Sequence, residues 1–343
     1  MALIPRRTFS VATLATLVGP TAARAAAPEL RVLTHSSFNL PQPLLAEFER
    51  AAGVRLLLIK GGDAGEMLNK LILTRAKPIA DVVFGIDNAL WHKAHAANVL
   101  DPYDGPAARR PSVAEVGVSV VPVTYGFVNL NADKAWLARE KRSAPTSLLD
   151  LTRPEWAGKL VVPNPATSSP GLAFLLATVG GLGEEAAFAW WAQMRANGLK
   201  VVKGWSEAYY TEFSRSGGSR PLVVSYASSP AAEVFYSKEK ITEPPTLNLL
   251  LKGGVFRQVE GVALVRGGGQ REAAGKFIEF LRGAAVQQAL QTEMWMLPAE
   301  KGAAPVAALA AVPTPTAVDN PSAETLAANS NAWVTRWTRT VLK

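Results

Sequence analysis

Several side chains able to hold a small molecule share one setting in this 343-residue sequence: each closes a short β-branched run just before a turn or helical pattern. They are His35 in LRVLTHSSF, Asp63 in IKGGDAG, Asp87 in DVVFGIDN, Ser168 in PATSSPGL, Trp205 in VVKGWSEAYY and Tyr226 in PLVVSYASSP. Aromatics at strand ends suit a flat ligand. An indole face stacks on a planar heteroaromatic and favours a cation, at roughly 0.5–2 kcal/mol per contact. Asp63 would complement that positive charge or accept from an exocyclic amine. In TSSPG, Ser169 is placed to cap a helix with Pro170 at its first position, and the free N–H groups there, with the Ser168 hydroxyl, would hold an anionic or hydroxyl oxygen. The same residues also read as a well-capped helix and nothing more. Trp205 has two readings as well, a crevice wall or a core residue. The turn at Gly204 and an N-cap at Ser206, with Glu207 in the first turn, place it where loops meet water. Trp190, Trp191, Trp333 and Trp337 lie within helical patterns and are expected in the core.

Elements must bring these positions together. LRVLTHSS, VRLLLIKGG and ADVVFGIDN are each followed by a helical pattern, giving three strand–loop–helix units in the first hundred residues. A second set follows, with strands at VPVTYGFVNLN, KLVVPNP, LKVVKGW, PLVVSYASSP and VEGVALVRGGG and helices at SSPGLAFLLATVGG, SEAYYTEFSRSGG and REAAGKFIEFLRG. Alternation of this kind predicts an α/β protein with a mostly parallel sheet and helices on both faces. Ligands bind at the carboxyl ends of such strands. The alanine- and proline-rich stretch near 300–325 is expected to be a surface excursion, and NAWVTRWTRTVL a helix that packs back on the body.

The N-terminus sets the compartment. Arg6-Arg7, an apolar run from Phe9 to about Ala22, and Ala23-Arg24-Ala25 follow the order of a cleaved export signal over residues 1–25. The paired arginines fit a twin-arginine signal or an ordinary one. The formal charge is +8, with 36 basic and 28 acidic residues. Losing three arginines with the signal leaves 33 basic residues and +5. No basic run with interleaved aromatics supports nucleic-acid binding. Cysteine is absent, which removes disulfides, thiolate metal sites, cysteine nucleophiles and a lipid anchor through an N-terminal cysteine. No G-x-S-x-G, H-E-x-x-H or P-loop marks an enzyme, and His92 and His95 lack a third metal ligand nearby. These features predict an exported, non-enzymatic binding protein with two lobes closing on a ligand. Lobe 1 is expected over 28–122, lobe 2 over 123–258, and a return segment with the C-terminal helices over 259–343.

The runs KGWSEAYYTEF, LVVSYASSP, DVVFGIDN, PATSSPGL and MWMLP together resemble the thiamine-binding periplasmic proteins of bacterial thiamine ABC transporters, in the same order from about residue 30 to 298. The resemblance implies a type II periplasmic-binding-protein fold, thiamine or its phosphate esters as ligand, and an inner-membrane ABC permease as partner. It further implies a monomer, no cofactor and no metal. It places Trp205, Tyr226 and Trp295 against the ligand's rings, Ser168 at its hydroxyl or phosphate end, and Asp63 as the site's acid. Three positions depart from the family pattern: His35 and Ala232 stand where it has tyrosine, and Thr124 where it has aspartate. They leave open a related ligand such as the thiamine pyrimidine or another cationic heteroaromatic. Tyr209-Tyr210 is similar to the paired tyrosines of ferric-iron proteins of this fold, but the pair lies inside a helical pattern that points its members apart. His35 is expected to line the crevice, where its protonation would oppose a cationic ligand as the pH falls from about 7.5 to 5.5.

Overall fold

The computed structural model describes residues 27–343, so the export signal read at 1–25 lies outside the described residues. The first part of the chain forms the expected units: β1 (Glu29–Thr34), α1 (Gln42–Ala52), β2 (Arg55–Lys60), α2 (Ala64–Leu73), β3 (Val82–Asp87) and α3 (Trp91–Ala96). Short β4 (Leu100–Asp101) and α4 (Pro106–Arg109) lead into the long β5 (Val121–Asp133) and α5 (Lys134–Arg139). A second series follows: β6 (Leu160–Pro163), α6 (Ser169–Leu182), α7 (Glu184–Ala196), β7 (Lys200–Val202), the single turn α8 (Trp205–Glu207), β8 (Leu222–Tyr226) and α9 (Ser229–Phe235). The chain closes with β9 (Thr246–Leu249), β10 (Phe256–Val265), α10 (Arg271–Leu281), α11 (Ala284–Glu293), β11 (Leu297–Pro298) and α12 (Ala323–Val341).

Hydrogen bonding runs unbroken through one mixed sheet in the order β2-β1-β3-β10-β5-β8-β6-β7. The alternating pattern predicted a mostly parallel sheet, and it forms as two parallel sets joined through antiparallel strands. The difference lies in β5, whose 13 residues are long enough for two sets of partners. Val121–Val128 pair with β10, and Val128–Ala132 pair with β8. Parallel trios, β2-β1-β3 and β8-β6-β7, therefore flank an antiparallel β10-β5 pair.

Local sequence accounts for the elements. VVFGID is buried at every position because β3 is central and covered on both faces. Residues 169–179 of α6 are all buried, so this helix is apolar around its circumference rather than amphipathic. Trp190, Trp191 and Trp337 are almost fully buried, with ring centroids 4.9 and 5.5 Å apart in successive pairs. Their indoles dock α12 on α7, and the Trp190 and Trp191 N–H groups donate to Leu148 O (2.7 Å) and Thr178 Oγ1 (2.9 Å). The alanine- and proline-rich stretch is a surface segment, pinned where Asp319 Oδ2 accepts from the Gly253 and Val255 amides. Among the described residues no helix is long and apolar enough to cross a membrane.

Candidate functional site

A cavity of about 500 Å³ opens at the carboxyl ends of the parallel strands. The strand-end positions arrive there from two sides: β2-β1-β3 and β8-β6-β7 run in opposite senses, and their carboxyl ends face each other across the middle of β5 and β10. His35 follows β1, Asp63 precedes α2, Trp205 opens α8 and Tyr226 ends β8; all line the cavity. Trp295 joins them from the loop between α11 and β11. Its φ of +58° is rare for a bulky residue, so backbone strain is stored where the indole is held.

Trp205 is a wall residue. Its ring stacks on Tyr209 at 5.3 Å and 22°, meets Tyr226 edge-on at 6.2 Å, and donates from Nε1 to Ser225 Oγ at 2.8 Å. The helix start differs from the expected Ser206 cap: Gly204 is the N-cap and Trp205 the first helical residue. The helical pattern 206–218 becomes that single turn followed by a π-helical turn at Ala208–Glu212, which separates Tyr209, buried, from Tyr210, exposed.

Asp63 caps α2, its Oδ1 accepting from the Ala64 amide at 2.7 Å. Its Oδ2 accepts from the Trp205 amide at 2.9 Å, so one carboxylate serves two helix starts. Asp87 is fully buried and also fully engaged: Oδ1 accepts from the Ala89 and Leu90 amides, and Oδ2 accepts from the Ser169 hydroxyl. Burial, with Glu260 and Asp63 nearby, pushes its pKa up to about 7 despite those amides.

Ser168 requires a correction. It, not Ser169, is the N-cap of α6, with Pro170 at the second helical position. Its side chain is fully buried, outside the cavity lining, and its hydroxyl lacks a hydrogen-bond partner. Ser169 lines the cavity instead. One residue of helix phase, about 100°, separates the two outcomes.

His35 is buried, packed on Phe84 with centroids 5.7 Å apart. Its Nε2 lies 3.1 Å from Glu260 Oε1 but off the line of a hydrogen bond. Burial acts to lower the imidazole pKa, yet Glu260 and then Asp63 outweigh it, and the ring holds its proton above the ordinary histidine range. The expected titration between pH 7.5 and 5.5 is thereby moved upward. Thr124, at 3.4 Å, puts its hydroxyl beside the same Glu260. Gly85 makes room: at φ +116° a Cβ there would sit 2.7 Å from the His35 ring.

The structure adds residues that the sequence reading did not select. Tyr236 and Tyr210 line the cavity, and Tyr236 packs on Trp295 at 5.6 Å while donating to Thr292 O at 2.8 Å. Tyr236, the C-cap of α9, stands one helical turn past Ala232, so it covers the same face that the missing tyrosine would. Helical spacing could have pointed to it. Glu260, inside the apolar strand VEGVALV, was also detectable, since a buried acid is the informative exception. Gln258, which accepts from the Tyr226 hydroxyl at 3.2 Å, shares that strand.

Fold and cavity together define the class: an α/β protein with a cavity sized for a small molecule where the carboxyl ends of its two parallel strand sets face each other. The model of the family of bacterial extracellular solute-binding proteins matches residues 77–327, and the chain belongs to that family. Among relatives, it is 31% identical over 98% of both chains to the thiamine-binding periplasmic protein of Brucella melitensis. It is 32% identical to the thiamine-binding periplasmic protein of Escherichia coli K12, over 92% of this chain and 94% of that one. A solved periplasmic thiamin binding protein superposes with a TM-score of 0.80 at 29% identity, covering 92% of this chain and 96% of that one. A ferric binding protein from Campylobacter jejuni shares the fold at 16% identity and a TM-score of 0.72, covering 91% of this chain and 99% of that one. Among the described residues no group of three His, Cys, Asp or Glu side chains is arranged to hold a metal ion.

Proposed function

We propose that this protein captures thiamine in the periplasm and delivers it to an inner-membrane ABC permease. One observation carries the reading: a cavity walled by Trp205, Tyr226 and Trp295 also holds the carboxylates of Asp63 and Glu260. Aromatic faces with acids at their edges bind a flat cation, and thiamine couples a cationic thiazolium to an aminopyrimidine. The relatives named for thiamine binding support the reading across nearly the whole chain.

In this reading the segments 28–122 and 259–343 form one lobe and 123–258 the other. Contacts from Asp63 to the Trp205 amide, Asp87 to Ser169, and Tyr236 to Thr292 O then all cross the cleft, as in a closed state. Calorimetric titration of the mature protein tests the function. One thiamine per chain without added metal is expected; no heat and no thermal shift with thiamine, its phosphates or its pyrimidine would sink it.

A further inference from the structure

Trp205 cannot be held as the core tryptophans are. Burial fixes Trp190, Trp191 and Trp337, whereas Trp205 is half-buried and opens a single helical turn at the cavity wall. An indole left free to rotate would lose that freedom each time a ligand stacked on it, and affinity would fall accordingly.

Polar contacts supply the hold. Trp205 Nε1 donates to Ser225 Oγ at 2.8 Å, and Ser225 Oγ lies 2.8 Å from Ser229 Oγ. Ser229 stands beside the Tyr209 hydroxyl, and Tyr209 donates to Glu233 Oε1 at 2.8 Å. The other carboxylate oxygen, Oε2, accepts from Thr246 Oγ1 at 2.7 Å, which ties Glu233 to β9. Ser229 and Glu233 are four residues apart on α9, so one helix face carries both.

The two ends of this chain set its direction. An indole N–H can only donate, and an ionised carboxylate can only accept. Ser225 therefore turns its own proton toward Ser229, Ser229 toward Tyr209, and Tyr209 toward Glu233. Hydrogen bonds aligned head to tail away from water strengthen one another, and Ser225, Ser229 and Tyr209 are all buried. Tyr209 also stacks on the indole at 5.3 Å and 22°, so the residue that Glu233 anchors holds Trp205 twice.

Resting on the thiamine reading above, we infer that Glu233 is a positioning residue: through Tyr209, Ser229 and Ser225 it fixes the Trp205 indole at the cavity wall before the ligand arrives.

Calorimetric titration of the mature protein with thiamine, with melting temperatures measured alongside, is the test. Ser229→Ala and Tyr209→Phe each break the chain without removing a charge, and each should weaken binding about 3- to 10-fold. In a Trp205→Phe background no indole N–H remains to be held, and the same substitutions should leave affinity almost unchanged. Glu233→Gln keeps a carbonyl that accepts from Tyr209 and should bind thiamine more tightly than Glu233→Ala does. Losses that persist in full with Trp205→Phe would overturn the inference, because the side chains would then act on the ligand or the fold directly. Equal losses from Glu233→Gln and Glu233→Ala would also overturn it, since the carboxylate would then act on the cation by charge alone. Unaltered affinity in both Ser229→Ala and Tyr209→Phe would do the same. Absence of thiamine binding to the unaltered protein would overturn the reading on which the inference rests.

Discussion

Trp205 separates binding from stability at a single position. One face of its indole is covered by Tyr209 and the ring lines the cavity. Trp205→Ala should weaken thiamine binding by about 1–3 kcal/mol, roughly 5- to 150-fold, while the melting temperature without ligand falls only modestly. Trp337→Ala is the contrasting variant: its ring is fully buried, so about 3–5 kcal/mol of stability should be lost while the folded fraction binds normally. Thermal melting and titration of both variants check the pair. Tyr236→Ala should cost affinity as Trp205→Ala does, whereas Tyr236→Phe, which removes only the bond to Thr292 O, should cost about 0.5–1.5 kcal/mol.

Protonation belongs to the same scale. Asp87 carries a raised pKa of about 7, and His35, facing Glu260, Asp63 and Lys60, is also raised. Between the ordinary carboxylate range and pH 7 the folded state holds a proton on Asp87 that the unfolded chain has released. Stability without ligand from this group therefore falls as the pH rises across that window. His35 acts with the same sign: its contribution is complete below the unfolded histidine value and is lost as pH rises through the higher folded one. A bound cation prefers Asp87 ionised and His35 neutral, so thiamine affinity should rise from about pH 6 to 8, with proton release on binding. Titrations in buffers of different ionisation enthalpy would detect the released protons. Asp87→Asn should flatten the lower part of the profile and His35→Gln the upper part.

At the scale of elements, the cavity floor depends on how closely β1 and β3 bring their side chains together. Gly85 in β3 has a positive φ and no space for a Cβ beside the His35 ring. Gly85→Ala should destabilise the fold by about 1–3 kcal/mol through backbone strain and crowding, and should displace His35 from Glu260. Denaturant unfolding would give the first effect, and loss of the upper limb of the pH profile the second. Elements also show where sequence signals were ambiguous. The T-S-S-P-G motif marks a helix start unmistakably, but either serine could cap it. In the structure Ser168 is the N-cap and is buried, while Ser169 gives its hydroxyl to Asp87 and lines the cavity. KGWSEAYYTEF was legible as a turn followed by helix; the π-helical turn that splays Tyr209 from Tyr210 was not, because it answers to packing. Tyr209 is anchored there through its hydroxyl to Glu233, at 2.8 Å.

For the molecule as a whole, a ligand that binds the cavity stabilises only the folded form. Thiamine at 100 times its Kd should add about 2.7 kcal/mol, raising the melting temperature by roughly 4 °C for a chain of this size. The rise should track ligand concentration logarithmically, and Trp205→Ala should require proportionally more ligand for the same shift. Sequence by itself determined the alternating α/β order, the strand carboxyl ends as the place where the cavity opens, and Trp205 and Tyr226 in its lining. Those follow from local patterning: β-branched runs make strands, and each parallel set carries its loop residues to its own carboxyl end. Only the tertiary structure decided that β5 joins the strands into one sheet, that Ser169 rather than Ser168 reaches the cavity, and that Tyr236 covers the face left by Ala232. It alone brought Glu260, from the interior of β10, against His35 at the end of β1. Those outcomes depend on helix phase, strand length and contacts between residues far apart in the chain, and no local pattern encodes them.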